Sequence, residues 1–254
     1  MFHFMINHPR LLSAVLLCVM AALSFAGTKL RFLHPKEDDG KNEDITLVIS
    51  ATLTLLGLII GFMFSMATSR YDQRRLYEEG EANAIGTEWV RCDLMPASEA
   101  AATRGLLRQY VQSRIDFYNS DEGNKLGVID RQSSQLQTQL WKSIQPIAAT
   151  QPTPVTALVV SGMNDVLNSQ GYTQFSWWNR IPTTAWVLLV TIACVSNLLV
   201  GYGTGRRRAR SGLLIVLPVL VAVAIFLVAD IDSPRGGVIR VHPRDLVTLQ
   251  QTLH

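Results

Sequence analysis

The sequence predicts an all-α integral membrane protein with four membrane-crossing helices and a polar helical unit between the second and the third. Three observations carry this. Of 254 residues, 48% are hydrophobic and only 17% charged, with a mean hydropathy of +0.19, too apolar and too poor in charge for an average soluble domain. Four uncharged runs, at about 11–27, 45–67, 183–203 and 213–229, approach or reach the length that crosses a hydrocarbon core of about 30 Å at about 1.5 Å per residue. Between the second and third runs, residues 68–181 keep helical periodicity but turn charged and polar.

The first run, Leu11 to Ala26, reads as an uncleaved span at the lower length limit, although Ser24-Phe25-Ala26 also fits the small-x-small pattern of a signal-peptide cleavage site. Thr28 to Asp44 is Pro-interrupted and polar, a loop. Its acidic cluster Glu37, Asp38 and Asp39 lacks the spacing and turn glycine of a calcium-binding loop.

Ile45 to Ala67 is the second span, and with no proline to stop it the chain continues in helical register to Arg91. Within it Gly57, Gly61 and Ser65 recur every four residues, a small-residue face of the kind that lets membrane helices approach closely. Thr54 lies on the same small, polar side, a bulkier edge of Leu58 and Phe62 runs beside it, and either stripe is a candidate pore lining, where apolar rings gate by dewetting. Beyond Thr68 the helix becomes charged. Arg74/Glu78 and Arg75/Glu79 stand at i,i+4 on what reads as a solvated face, and Arg70, Arg74, Arg75, Glu81, Asn83, Glu88 and Arg91 form a candidate polar network at the exit of the span.

Pro96 breaks that helix, Ser98 is the expected N-cap of the next, and Leu107, Tyr110, Val111 and Phe117 give it an apolar face. Asn119 to Asn124 is a turn cluster. Leu136, Leu140, Trp141, Ile144 and Ile147 mark another helix, limited by Pro146, and Val155 to Asn168 a further one with Leu158, Val159, Val166 and Leu167 inward. Trp177, Trp178 and Arg180 read as an interfacial anchor ahead of the third span, whose end, Val200-Gly201-Tyr202-Gly203, reads as an interfacial stop. Arg206, Arg207, Arg208 and Arg210 crowd the linker to the fourth span, which contains Pro218. Asp230 to Gly237 is a turn, with Asp230 and Asp232 placed to pair with Arg235, and a small amphipathic helix follows Pro243. The chain thus divides into a helix pair (1–67), a helical unit (68–181), a second pair (182–230) and a tail (231–254).

Several function classes fall away. The net charge of +3 is dispersed outside the one arginine run, so no basic groove for nucleic acid is visible. Cys18, Cys92 and Cys194 make no disulfide framework. His3, His8, His34, His242 and His254 lie in loops or near the ends, and no nucleophile, phosphate loop or metal-ligand spacing is present, so neither catalysis nor a cofactor or metal is expected. Basic residues near the bilayer are evenly split between the two sides, which leaves orientation open by the positive-inside rule.

Leu55 to Met66 with Ser69-Arg70-Tyr71-Asp72-Gln73-Arg74-Arg75, then Glu81-Ala82-Asn83-Ala84-Ile85-Gly86-Thr87, and late in the chain Asp230-Ile231-Asp232-Ser233-Pro234-Arg235, resemble the bestrophin-like family of bacterial membrane proteins, distantly similar to bestrophin ion channels. The resemblance implies a multi-pass protein of the bacterial inner membrane with both termini and the helical unit cytoplasmic, assembled with copies of itself around a shared axis, as a pentamer in bestrophins. It also implies a narrow neck on the second span, matched here by Phe62 with Leu58 and Thr54 one and two turns earlier. Thr54 departs from a wholly apolar neck. The expected function is an oligomeric ion channel, anion-conducting or unselective. The alternative is a non-conducting scaffold or sensor that binds a partner through its cytoplasmic helices.

Overall fold

The structure, a computed structural model, describes residues 8–33, 39–120, 124–204 and 212–253. Among these residues there are helices, turns and no strand. Glu37 and Asp38, the centre of the turn cluster at 121–123, the arginine run at 206–210, and His3, His34 and His254 lie outside the described residues. The helices are α1 (Pro9–Leu33), α2 (Asp39–Arg91), a 3-10 turn (Cys92–Leu94), α3 (Ala97–Asn119), α4 (Asn124–Thr150), α5 (Pro154–Trp178), α6 (Thr183–Thr204), α7 (Leu213–Asp232) and α8 (Arg244–Thr252). Four helical stretches, starting at Pro9, Glu43, Pro154 and Leu214, contain windows apolar and long enough to cross a membrane. The chain folds as two compact units, a membrane unit (Met1–Ser69, Arg180–Ile239) and a helical unit (Arg70–Asn179, Arg240–His254), with α2 running through both.

In the membrane unit α1 packs on α6 and α7. Leu12, Leu16 and Met20 recur every four residues and so share the face that α1 buries, while Trp186, Leu189 and Ala193 on α6 and Val221, Ile225 and Val228 on α7 are buried as well. One turn further along α1 the packing changes from side chain to backbone. A Cβ on Gly27 would stand 2.2 Å from the Leu198 carbonyl oxygen, and one on Gly201 would stand 2.0 Å from that of Ser24. Ser24 is buried there, its hydroxyl donating to the Asn197 carbonyl at 3.2 Å. Gly201 is therefore a helix contact as well as part of the end of a span, because only hydrogen fits between the two backbones. α7 runs through Pro218 and ends at Asp232. Asp232 accepts from the Ile181 amide at 3.1 Å, while the Asp230 carboxylate accepts the Val238 and Ile239 amides at 2.8 Å each and folds the following turn.

In the helical unit α3 packs on α4, α4 on α5, and α8 on α3. Its core holds Leu107, Tyr110 and Val111 from α3, Leu140 and Ile144 from α4, and Val159, Met163 and Val166 from α5. Several local expectations are corrected. α3 begins at Ala97, flanked by Pro96 in an extended conformation, so Ser98 falls inside the first turn and donates to Glu99 instead of capping. α4 passes through Pro146 to Thr150, losing one backbone hydrogen bond but not the helix. α5 starts as expected, with Thr153 accepting from the Thr156 amide and Pro154 in the first turn, but runs ten residues past Asn168. Leu158 faces out, and Trp177 is buried in ring contacts with Phe117 and Tyr118, so of the two tryptophans only Trp178 is exposed.

Candidate functional site

Both candidate regions lie on α2. In its membrane half Leu56, Met63 and Ala67 are buried, and the opposite side is bare: Thr54, Leu58 and Phe62 are all exposed, in a line at i,i+4. Gly57, Gly61 and Ser65 are exposed beside them, and a Cβ on either glycine would meet no atom within 4 Å. Three hydroxyls of this half are satisfied by their own helix. Ser50, Thr52 and Thr54 donate to the carbonyls of Thr46, Val48 and Ser50 at 2.9, 2.5 and 2.9 Å. Thr54 thus presents its hydroxyl without an unmet donor, which suits a low-dielectric surface.

The polar half behaves differently. Glu78, Glu81, Ala82, Ile85, Glu88 and Cys92 are all buried and fall at helical spacing on one face, so three carboxyl groups sit where an apolar stripe would be expected. Glu81 and Arg114 form an ion pair in which both side chains are fully buried, with Nε to Oε1 at 2.5 Å. Thr173 donates to Glu81 Oε2 at 3.2 Å and Tyr118 at 3.4 Å, and the Arg114 guanidinium lies 4.4 Å from the Phe117 ring centroid. Burial alone would lower the pKa of Arg114, but the Glu81 carboxylate more than offsets it and holds the guanidinium charged. Tyr118 is pushed well up, first by burial and then by Glu81.

Glu88 is fully buried too, and neither of its oxygens has a hydrogen-bond partner among the described residues. Its carboxyl lies in a notch made by Gly162 of α5, where a Cβ would stand 2.0 Å from Glu88 Oε2 and 2.1 Å from Arg91 Nη1. Burial raises its pKa to about 8, with Arg91 opposing and Asp165 adding, so at neutral pH it is mostly the neutral acid. Beneath it, burial followed by Glu88 pushes the Cys92 thiol up to about 11, so it is not a nucleophile. Nearby, Tyr77, Glu81 and Ala84 of α2 with Asp165, Ser169 and Tyr172 of α5 line a cleft of about 220 Å³, where the Tyr77 and Tyr172 rings stack at 5.9 Å.

Of the polar residues singled out in the sequence, Arg70, Arg74 and Glu81 are engaged with their own chain. Arg70 donates to the Asn179 side chain and Arg74 to the Ser176 carbonyl at 3.3 Å, which puts two cations at the C-terminal end of α5 where its dipole favours them. Arg74 and Glu78 are buried, against the solvated face read from their i,i+4 spacing, because α5 and α8 each supply a partner. Arg75 and Asn83 are exposed. Reading the chain alone missed Arg114, Thr173 and the Gly162 notch. Arg114 did carry a signal, standing at i+3 and i+4 from Val111 and Tyr110 in the middle of the apolar face of α3. Among the described residues no group of three His, Cys, Asp or Glu side chains is placed to hold a metal ion.

Comparison with known proteins yields a consistent picture. A family model described as a Bestrophin-like domain matches residues 15–246. No curated protein matches the chain. A crystal structure of a bacterial bestrophin homologue from Klebsiella pneumoniae superposes with a TM-score of 0.70 at 11% identity, covering 96% of this chain and 96% of that one. A point variant of the Klebsiella homologue gives 0.70 at 12% identity, over 95% of this chain and 98% of that one. At such identity the likeness is one of fold.

Proposed function

Because the chain belongs to the bestrophin-like family, we propose that it is an ion channel of the bacterial inner membrane, built from several copies around a common axis with both termini in the cytoplasm. Five copies is the number favoured by bestrophin channels. The pathway, for anions or without strong selectivity, runs along α2, with Thr54, Leu58 and Phe62 at the constriction and residues 70–91 leading into the cytoplasm. Gly57, Gly61 and Ser65 form the flat stripe on which α2 of one copy approaches its neighbour.

The observation that carries this reading is the bareness of the membrane half of α2. Only 11% of its apolar window is buried, against 28% to 50% in the other three spans. Lipid alone would cover such a helix, but a smooth glycine stripe beside an aligned Thr-Leu-Phe edge is what close approach of identical helices around an axis needs.

Reconstitution into liposomes with a halide-quenched dye inside tests conduction, and an image of the purified particle tests assembly. A ring with an axial hole, and flux that rises several-fold in Phe62→Ala as the apolar ring loses its largest side chain, is the expected result. A particle without a hole, and no flux in the native protein or Phe62→Ala across the accessible pH range, would overturn it in favour of a scaffold.

A further inference from the structure

Two helices of the helical unit set the same spacing against each other. Tyr77, Gly80 and Ala84 on α2, and Asp165, Asn168 and Tyr172 on α5, each stand at i, i+3 and i+7, so each set shares one face of its helix. Between the two faces lies the cleft of about 220 Å³. It is open because Gly80 and Ala84 bring no bulk, and a Cβ on Gly80 would meet no atom within 4 Å. At about 30 Å³ per molecule it has room for about seven waters, less than the about 300 Å³ at which sites for drug-sized ligands begin. A compact guest suits it.

Its lining narrows the chemistry of that guest. The Tyr77 and Tyr172 rings stack at 5.9 Å with 18° between their planes, so they form one aromatic wall and not two jaws. Tyr172 is 58% exposed, which leaves its ring open to a guest. The two charged side chains that line the cleft are both carboxylates. Glu81 is matched by Arg114 and takes the hydroxyls of Thr173 and Tyr118. Asp165 is different, being exposed and without a hydrogen bond or an ion pair among the described residues. Arg91 Nη1 stands against Gly162, one turn before Asp165, and does not pair with it. Carboxylates disfavour an anion, and no group of three acidic, His or Cys ligands is assembled for a metal ion among the described residues. A carboxylate beside the negative faces of aromatic rings is the setting that recognises an organic cation, whose charge meets the acid and whose apolar substituents meet the rings.

We infer that this cleft binds a small organic ammonium ion, with Asp165 as its counter-charge and the Tyr77 and Tyr172 rings as its aromatic wall.

Such a site lies wholly within the helical unit, and its occupancy can be read whether or not the protein conducts. Ligand-observed NMR with tetramethylammonium chloride tests it, on the full-length protein in a maltoside detergent that carries no choline headgroup. Binding should saturate in the millimolar range at low ionic strength, while butyrate, a carboxylate of similar size, should not bind. Asp165→Asn should weaken tetramethylammonium at least about fivefold, and Tyr172→Leu, which keeps an apolar side chain but removes the ring, about threefold. Both positions are exposed, so neither change endangers folding. Glu79→Gln removes the same charge from an exposed position of α2 outside the cleft and should leave the affinity as it is, which separates a site from a general attraction of cations. Phosphatidylcholine added to the micelles identifies the source of the ammonium group. Displacement of the probe assigns the cleft to a lipid headgroup and undiminished binding assigns it to a soluble amine, and both keep the site. No saturable binding of tetramethylammonium, equal binding of butyrate, or full affinity retained in Asp165→Asn would overturn the inference.

Discussion

Along α2, residues 45–67 and residues 70–91 complete their side chains in opposite ways. The apolar half satisfies the hydroxyls of Ser50, Thr52 and Thr54 within its own turns and leaves its most regular face, Thr54-Leu58-Phe62 with Gly57 and Gly61, exposed. The charged half turns Arg74, Glu78, Glu81 and Glu88 inward, and α3, α5 and α8 close over them. A helix exposed in its apolar half and buried in its charged half inverts what water alone would select. The two halves are therefore completed differently: the charged half is finished by its own chain, whereas the apolar half leaves its aligned face exposed.

The comparison is broken most severely at Arg114. Arg114→Ala leaves the Glu81 carboxyl buried without its cation, with only Thr173 and Tyr118 to serve it, and should lower the unfolding free energy of the helical unit by about 3–5 kcal/mol. Thermal unfolding in detergent, followed by the near-ultraviolet signal of the aromatic cluster around Trp177, measures this. Replacing both partners by apolar residues should recover a large part of the loss, because no charge is then left stranded. A double variant as unstable as Arg114→Ala would show that the pair organises its surroundings beyond its own charge.

Glycine substitutions probe the other half. Gly201→Ala forces a methyl to within 2.0 Å of a backbone oxygen of α1, where nothing flexible can yield, and should cost about 1–3 kcal/mol with a clear drop in melting temperature. Gly61→Ala adds the same methyl to open space and should leave the melting temperature of the isolated chain unchanged. If α2 meets further copies along this stripe, Gly61→Leu shifts the detergent-solubilised particle towards monomer on size exclusion, while Gly201→Ala does not.

What the sequence made legible follows the same division. The spans could be read because a bilayer tolerates no charge over its thickness, and the aligned face of α2 because its spacing is local. The interior of the helical unit resisted, since its core-facing positions are partly polar. Ser169, Gln170, Thr173 and Ser176 are buried, and Gln170 and Thr173 bond to Tyr110 and Glu81, so the C-terminal ten residues of α5 lack the apolar periodicity that announces a helix. Glu78 looked solvent-facing, and Glu81 only a candidate member of a polar network, for a similar reason. Their partners, Leu246 and Arg114, stand 168 and 33 residues away. Only Arg114, a charge inside an apolar stripe, gave notice that a buried acid must face it.

A smaller effect comes from pH. Glu88 is raised to about 8 by burial, so its proton stabilises the folded unit fully below the ordinary 4.5 and is lost as pH rises through 8. Glu78 acts in the same direction up to about 7. Stability should therefore fall, by on the order of 1–2 kcal/mol, between about pH 6 and pH 9, read as a decrease in melting temperature. Glu88→Gln should flatten the upper part of that fall. A melting temperature that does not fall across this interval would mean that Glu88 is ionised against Arg91 throughout.

The smallest change is the most informative about the bare half. Thr54→Val is nearly isosteric and removes a hydroxyl whose hydrogen bond stays within its own helix, to the Ser50 carbonyl at 2.9 Å. The folded chain should shift by no more than about 0.5 kcal/mol, since no tertiary contact is lost and valine is tolerated on an exposed membrane helix. Flux is where the two possible surroundings of Thr54 separate. If lipid covers that face, Thr54→Val is silent in liposomes as well as in unfolding. If the face lines a pathway, the hydroxyl is the one polar group in an otherwise apolar ring of Thr54, Leu58 and Phe62. Its loss raises the dewetting barrier, so flux falls several-fold while the melting temperature stays put. A variant that loses conduction without losing stability would place the unfinished face of α2 on the ion pathway, since a purely structural role would alter stability too.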